Sequence, residues 1–461
     1  MKTLWLHIGI QKTGTSALQH FCDGNRAALA RHGFGYPRFP YSFENVGPSR
    51  NGHFLLGTVR DEQGQRLLEE EQHMRTACLE QLAQELEAHD NVLLSEEHLW
   101  HKPGTHTLPV FTTLQEWCQA HDCRLQLIVY LRRQDQFAAS MRNQQIKVGY
   151  RKRQNSLSWE EWLLRHDGIV FDYFSHLQRI AAIVGKEHIT VRVYDRAQIE
   201  ANGGSIYADL LSCLGLQLTD EYQLPKQQTN ISLTPNIQEI HRIVTTTPAF
   251  EGRYAKKFRM TAVLCSLSAP KPQQPMTMFA PEEARAFLEQ FEEGNRRIAC
   301  EYLHREGPLF DPTIRPSVKW GPENPALRDD VACYFGTVYL LQQLEALGVR
   351  PSPKLLHEAT AQAREQAAPR HAGAAEADGT LATAFEATIR ARCAPYFTRE
   401  QELVQRRATR EEGEQPEPLT TTWEGEPLAP AWLPAAYEMV IEELVAAAQQ
   451  RAAAGEEPTA P

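Results

Sequence analysis

The sequence predicts an α/β layer fold with a central parallel sheet, followed by a mostly helical C-terminal extension. Three observations predict it. Short apolar strands alternate with helical stretches over the first three hundred residues, the order that builds parallel sheets. "RLQLIVYLRR" (124–133) is a nearly continuous apolar run, as strands buried on both faces are. The chain starts as strand, Gly-bearing loop and helix, the first half of a βαβ unit.

"TLWLHIG" (3–9) reads as the first strand, bounded by Gly. The stretch from Thr15 to Gly33 reads as one helix, with Ala17, Leu18 and Phe21 on one face. Residues from Gly33 to Asp61 are rich in Gly, Pro and aromatics and predict a long loop. Glu69 to His89 predicts a helix, "NVLLSEE" (91–97) a strand, and "TLQEWCQAHD" a helix. After the strand at 124–133, "QDQFAASMRNQQIK" predicts the next helix. Helices at "SWEEWLLRH" and "FDYFSHLQRIAAIVG", a strand in "HITVRVY" (188–194) and a helix from Tyr207 to Cys213 follow. Residues 281–310 predict one long amphipathic helix.

The chain has 461 residues, 42% hydrophobic and 23% charged, enough to bury a sizeable core. Its net charge of −10 argues against a nucleic-acid binder, which is usually basic. The acidity is concentrated late: from Ser317 onward 13 Lys+Arg face 22 Asp+Glu, against 35 and 36 before it. Composition shifts at the same point to Ala, Glu, Gln and Pro. This divides the chain into a domain over 1–316 and a helical region over 317–461, with helical pattern at 329–347 and 433–453. A flexible linker at about 408–430 and a frayed tail are expected within it. Nine scattered cysteines without CxxC spacing suit reduced thiols, and with no signal-peptide h-region at the start a cytoplasmic location is expected. No apolar run reaches the ~18 residues of a membrane helix.

The first loop, "GIQKTGTS" (9–16), nearly spells the nucleotide-hydrolase motif G-x-x-x-x-G-K-[ST]. Thr15 stands where that motif has its lysine, and Lys12 sits inside the loop instead. A loop between strand and helix aims backbone N–H groups and the helix dipole at one point, which suits a phosphate. Gly14 permits close backbone approach. Thr13, Thr15 and Ser16 add hydroxyls, and Lys12 adds a cation beside a bound anion. This arrangement suits one 5′-phosphate whose bridging oxygen leaves.

"LHIGIQKTGTSALQ" resembles the 5′-phosphosulfate loop of sulfotransferases that use 3′-phosphoadenosine 5′-phosphosulfate (PAPS), most closely their bacterial, carbohydrate-type branch. That family has a second element, a strand ending in Arg with a Ser eight residues on. "VYLRRQDQFAAS" supplies Arg132 and Ser140 at this spacing. Stretches around His53 ("NGHFLLG") and Glu97 ("LLSEEHL"), then "NQQIKVG" and "GNRRIACEYLHREGPLF", are similar too, so the resemblance covers about residues 1–315. Gln11 departs from it, since many relatives carry Pro there.

The resemblance implies a P-loop-like three-layer α/β/α domain that transfers a sulfuryl group in line from PAPS to an acceptor hydroxyl. The implied acceptor is a glycan or another hydroxylated small molecule. Implied donor-site residues are Lys12, Thr13, Gly14, Thr15, Ser16, Arg132 and Ser140, with Lys12 stabilising the leaving phosphate. No metal is expected, because the donor has no β–γ bridge to neutralise. Arg132, at the C-terminal end of a strand, can also grip a phosphate bidentately, with Arg133 pointing the other way.

The acceptor needs a general base. Glu96 and Glu97 end the second strand, and alternation lets one face the cleft. The family pattern selects Glu97; His53 is the rival. His7 is expected to satisfy a backbone group. Lys147, Arg151, Lys152 and Arg153 read as a solvated charge run or as attraction for an anionic acceptor. "RYAKKFR" (253–259) is a candidate cover for the 3′-phosphate, and Trp159 and Trp162 read as core. A P-loop kinase or NTPase is the alternative, disfavoured by Thr15 and by the lack of an apolar strand ending in Asp; a non-catalytic nucleotide-binding module is another.

Overall fold

The computed structural model describes residues 1–43, 46–100, 107–149, 155, 157–165, 169–225, 231–246, 255–269, 274–321 and isolated positions between 330 and 427. The linker at 408–430 and the helical patterns at 329–347 and 433–453 lie almost entirely outside these residues. The chain forms two compact units. The first comprises Met1–Met141, His166–Thr229 and Glu283–Ile314; the second comprises Arg142–Arg165, Asn230–Glu282 and Arg315–Pro461.

The first unit is α/β. Its five strands are β1 (Lys2–His7), β2 (Phe34–Gly35), β3 (Asn91–Ser95), β4 (Cys123–Leu131) and β5 (Ile189–Val193). They form one sheet in the order β2-β3-β1-β4-β5, and every pairing is parallel. The helices α1 (Thr15–Gly24), α2 (Arg26–Arg31), α3 (Leu68–Ala88) and α4 (Leu108–Ala120) connect the first four strands, and α5 (Gln134–Val148) follows β4.

Strand alternation divides the sheet residues between two faces. Leu93 of β3 and Ile128 and Tyr130 of β4 pack with Leu18, Phe21, Cys22, Leu29 and Leu211, with Trp5 against them. Leu4 and Leu6 occupy the alternate positions of β1 and are also fully buried. Both faces are therefore covered, and continuous apolar runs are needed to fill them.

The expected helix from Thr15 to Gly33 is two helices. Asn25 breaks it: its side-chain amide donates to the Phe21 carbonyl (2.8 Å) and to the Gln223 carbonyl (2.8 Å), and its Oδ1 accepts from the Gln223 N–H (2.7 Å). An Asn that satisfies a helix-end carbonyl with its side chain offers the backbone an exit from the helix. The expected loop from Gly33 to Asp61 contains β2 and a short 3-10 turn, Asn51–Leu55. Phe34 and Tyr36 are buried there, which ties the segment to the sheet.

The long helix expected over 281–310 is likewise two, Pro281–Glu289 and Glu292–Leu303. A tight turn, Phe291 N–H to Leu288 O (2.9 Å), separates them. His304, at φ 50°, ends the second, and the Arg305 N–H returns to the Ala299 carbonyl (3.1 Å), a left-handed helix cap. No helix among the described residues is long and apolar enough to cross a membrane.

In the second unit Trp159 and Trp162 are buried and stacked at 5.5 Å, as core residues. Lys147 corrects the solvated reading. It is buried, and its Nζ donates to the Ile231 carbonyl at 2.9 Å. Arg151, Lys152 and Arg153 lie outside the described residues, as do Arg253 and Tyr254 of "RYAKKFR". Arg259 of that stretch is exposed.

Candidate active site at the sheet edge

The C-terminal ends of β1, β3 and β4 bring three segments together. This edge is where open parallel sheets bind ligands. The first segment is the loop after β1. Ile8 and Ile10 are fully buried and fix it to the core, and the Ile8 N–H donates to the Ile128 carbonyl of β4 (2.9 Å). Between them and α1 the backbone turns left-handed twice, at Lys12 (φ 67°) and Gly14 (φ 80°). A non-glycine residue in that region is uncommon and is found where surrounding structure holds it.

Gly14 is needed for space as well as conformation. A Cβ on it would lie 2.6 Å from Ile206 Cδ1 and 3.2 Å from the Tyr194 ring. Gly14→Ala is expected to destabilise the first unit by about 1–3 kcal/mol, from the left-handed penalty and this clash. Thermal denaturation of the variant measures it.

Lys12 is half-buried. Burial lowers its pKa, the Arg132 guanidinium lowers it further, and Glu97 opposes both. Thr13 is buried, and its hydroxyl donates to the Ile10 carbonyl (2.6 Å), so it braces the turn. The Thr15 hydroxyl donates to Glu97 Oε2. Ser16, one residue into α1, is exposed.

The second segment follows β3. Glu96 is fully buried, with its carboxylate on Arg50 (Nε 2.9 Å, and Nη2) and on His53 Nδ1 (2.9 Å). It also accepts from the His98 N–H (2.8 Å). Burial alone would raise its pKa, but the Arg50 charge and the hydrogen bonds from His53 and Arg50 hold it well below the usual carboxylate range. β3 ends at Ser95, so neither glutamate lies on the strand as expected, and Glu97 opens the 3-10 turn Glu97–Trp100. Its Oε1 lies 3.8 Å from Arg50 Nη1. Burial raises its pKa, and Arg50, Thr15 and Lys12 counter this only in part. The two neighbouring glutamates thus differ in kind: Glu96 is a locked anion, and Glu97 is a carboxylate held closer to neutrality.

The third segment follows β4. Arg132 donates from Nη1 to the Lys12 carbonyl (3.0 Å), and its guanidinium lies 5.8 Å from the Tyr194 ring centre. Its Nε is buried without a hydrogen-bond partner among the described residues. Its own carbonyl accepts from the Tyr173 hydroxyl (2.8 Å). A buried, unpaired guanidinium N–H is costly unless an anion completes it. Arg133 turns away, to Asp135 (2.8 Å) and the carbonyls of Asp311 and Thr313 (2.8 Å each). Ser140 sits half-buried on α5, and among the described residues no hydrogen bond joins it to Arg132 or the loop.

His7 differs from expectation. Its Nδ1 pairs with the Ser95 hydroxyl (2.9 Å), a side chain rather than the backbone, and its Nε2 packs under Gly9. Burial pushes its pKa down to about 4, so it stays neutral under ordinary conditions.

A small cleft, open to solvent, adjoins Glu97. Gln11 and Glu97 supply its polar side chains, and Trp100, Phe137, Met141, Ile169 and Val170 supply the rest. Sequence reasoning missed Arg50, the apolar wall of this cleft and the Tyr194–Ile206 floor under Gly14. Arg50 stands one residue before "NGHFLLG", but nothing in the local pattern pairs it with Glu96, 46 residues on. Among the described residues no cluster of three or more His, Cys, Asp or Glu is arranged to hold a metal ion.

Comparison with known proteins adds little. No family model matches the chain, and no solved structure matches it significantly. A protein of Archaeoglobus fulgidus described as uncharacterized is 27% identical over 179 residues, which is 38% of this chain. The match spans less than half, 45%, of that relative's length.

Proposed function

We propose that the first unit is a PAPS-dependent sulfotransferase with a P-loop-like core, acting on an acceptor hydroxyl. One observation carries this reading. The Arg132 side chain, with a buried N–H left over, bonds the backbone of the loop that bears Lys12, while the Thr15 hydroxyl at the start of α1 donates to Glu97 in the turn after β3. An anion-binding loop, a second cation one strand away and a carboxylate with a raised pKa are what in-line sulfuryl transfer requires.

In this reading the backbone N–H groups at the start of α1 and the Lys12 ammonium bind the 5′-phosphate. Arg132 completes its donors on the 3′-phosphate, and Ser140 is the further candidate there. Glu97 takes the proton from the acceptor hydroxyl as its oxygen bonds to sulfur. The bond from sulfur to the bridging oxygen breaks, and Lys12 neutralises the charge left on the phosphate. The products are a sulfate ester and 3′-phosphoadenosine 5′-phosphate (PAP), with the proton on Glu97. His53 is the less favoured base, because its Nδ1 is committed to Glu96 and its role is to hold that carboxylate.

Titration with PAP, AMP and ATP, followed by thermal unfolding, tests this reading. At a concentration of 100 times its Kd, PAP is expected to stabilise the protein by about 2.7 kcal/mol. AMP, which lacks the 3′-phosphate, is expected to stabilise far less, and Arg132→Ala should erase the difference. Stabilisation by ATP alone would falsify the proposal.

A further inference from the structure

Two thiols of the second unit meet in its interior, and neither takes part in the sulfotransferase reading. Cys265 lies on the helix Ala255–Ser268, and Cys333 lies 68 residues on, in the acidic C-terminal region. Their sulfurs are 3.5 Å apart, with the Cys333 thiol donating to Cys265 Sγ. Both are present as thiols; Cys265 is fully buried and Cys333 is 5% exposed.

Neighbouring bonds hold the two sulfurs in place. Asp330, Cys333, Tyr334 and Thr337 are helical and buried, at the spacing of one helix face. Asn236 donates to Asp330 (2.7 Å), and His241 pairs with the Tyr334 hydroxyl (2.7 Å). The Cys265 thiol donates to the Thr337 hydroxyl (3.5 Å). These bonds tie the face, before and after Cys333, to the helices Pro235–Thr246 and Ala255–Ser268. A disulfide is about 2.05 Å long, so the sulfurs have about 1.5 Å to close, the scale of a side-chain rotation.

We infer that Cys265 and Cys333 are a redox pair that a peroxide closes to a disulfide, locking the C-terminal region onto the helix Ala255–Ser268. Cys333 is the more exposed, so its sulfur attacks the peroxide first. The O–O bond breaks, one water leaves and Cys333 carries a sulfenic acid. The Cys265 sulfur then attacks the Cys333 sulfur, the S–O bond breaks and the second water carries off the oxygen. Two thiols lose two electrons and two protons, and one peroxide becomes two waters. The hydroxyls of Ser268, 3.9 Å from Cys333 Sγ, and of Thr337 can turn their protons to the sulfurs as these ionise. No CxxC spacing marks the pair, because its members meet only in the fold.

Peptide mapping of the whole protein after treatment with hydrogen peroxide tests the pair. Cys300 is exposed and serves as the internal standard: the dose is raised until Cys300 is oxidised. At that dose, after alkylation in denaturant, a peptide pair linked through Cys265 and Cys333 is expected in most chains, and dithiothreitol should separate it. The map also tells this link from one between Cys118 and Cys123, which are in hydrogen-bonding contact too. The disulfide closes a loop of 68 residues, so the unfolding midpoint should rise by several degrees. Cys265→Ser should show neither the link nor the rise. Cys265 and Cys333 both alkylated, or Cys333 taken on to sulfinic acid, at a dose that oxidises Cys300 overturns the inference. A link that leaves the midpoint unchanged overturns the lock.

Discussion

Lys12→Ala is expected to lower turnover by about 10²–10³-fold while leaving the fold intact, because removal of one group aimed at developing transition-state charge costs about this much. The substitution is conformationally fair. Lys12 already places a Cβ at φ 67°, so alanine adds no new backbone penalty, and Lys12→Asn, a residue that tolerates this region, is a second control. Unfolding midpoints of both variants should stay near that of the parent protein. The KM for the acceptor should change little, which separates this effect from a displaced loop.

Lys12→Ala should also move the pH profile. As the proposed base, Glu97 must be ionised, and burial already raises its pKa. The activity should therefore fall on the acid side at a pH above the usual carboxylate range of about 4.3. Lys12 is one of the charges that lower the Glu97 pKa, so its loss should push that acid limb higher. Unchanged turnover, or an acid limb that moves down, removes Lys12 from the proposed role.

Arg50→Ala is expected to have the largest effect on stability, about 3–5 kcal/mol, the usual cost of stripping one partner from a buried ion pair. It leaves Glu96 fully buried with only His53 and one backbone N–H. Chemical denaturation at neutral pH measures the loss. The same pair fixes the acid sensitivity. Glu96 has a depressed folded pKa, so its stabilisation is fully present above the unfolded value near 4.3 and is lost as pH falls below it. In Arg50→Ala that acid-dependent loss should shrink. Glu96→Gln combined with Arg50→Met, which removes both charges at similar volume, should recover much of the stability.

What the sequence disclosed and what it hid follow physical lines. β1 and β4 were legible because strands buried on both faces must be apolar at successive positions, and Leu4, Leu6, Leu125, Leu127, Ile128 and Val129 are. The different surroundings of Glu96 and Glu97 do not come from strand alternation, because β3 ends at Ser95 and Glu97 opens a 3-10 turn. Asn25 was not: it reads as an ordinary helix-surface residue, and only Gln223, nearly two hundred residues later, gives its amide a reason to break the helix. Arg50 and Lys147 were hidden for the same reason. A charged side chain in a polar stretch looks solvated until a distant Glu96 or Ile231 carbonyl is folded against it. The strands, carried by local pattern, were therefore easier to read than the distant side chains that hold the loops between them.

The parallel sheet also sets an order of events during synthesis. β1 is the central strand, yet Lys2 pairs with Cys123 and Thr3 with Asn91, so its two neighbours arrive roughly 90 and 120 residues after it. At translation rates of about 5–20 residues per second, the first strand waits ~6–25 s for its second partner. Throughout that interval a short hydrophobic segment with unpaired backbone on both edges is available to whatever meets it first, a chaperone or another nascent chain. Slower elongation across α3 and α4 should lengthen this exposure and lower soluble yield without altering a single native contact.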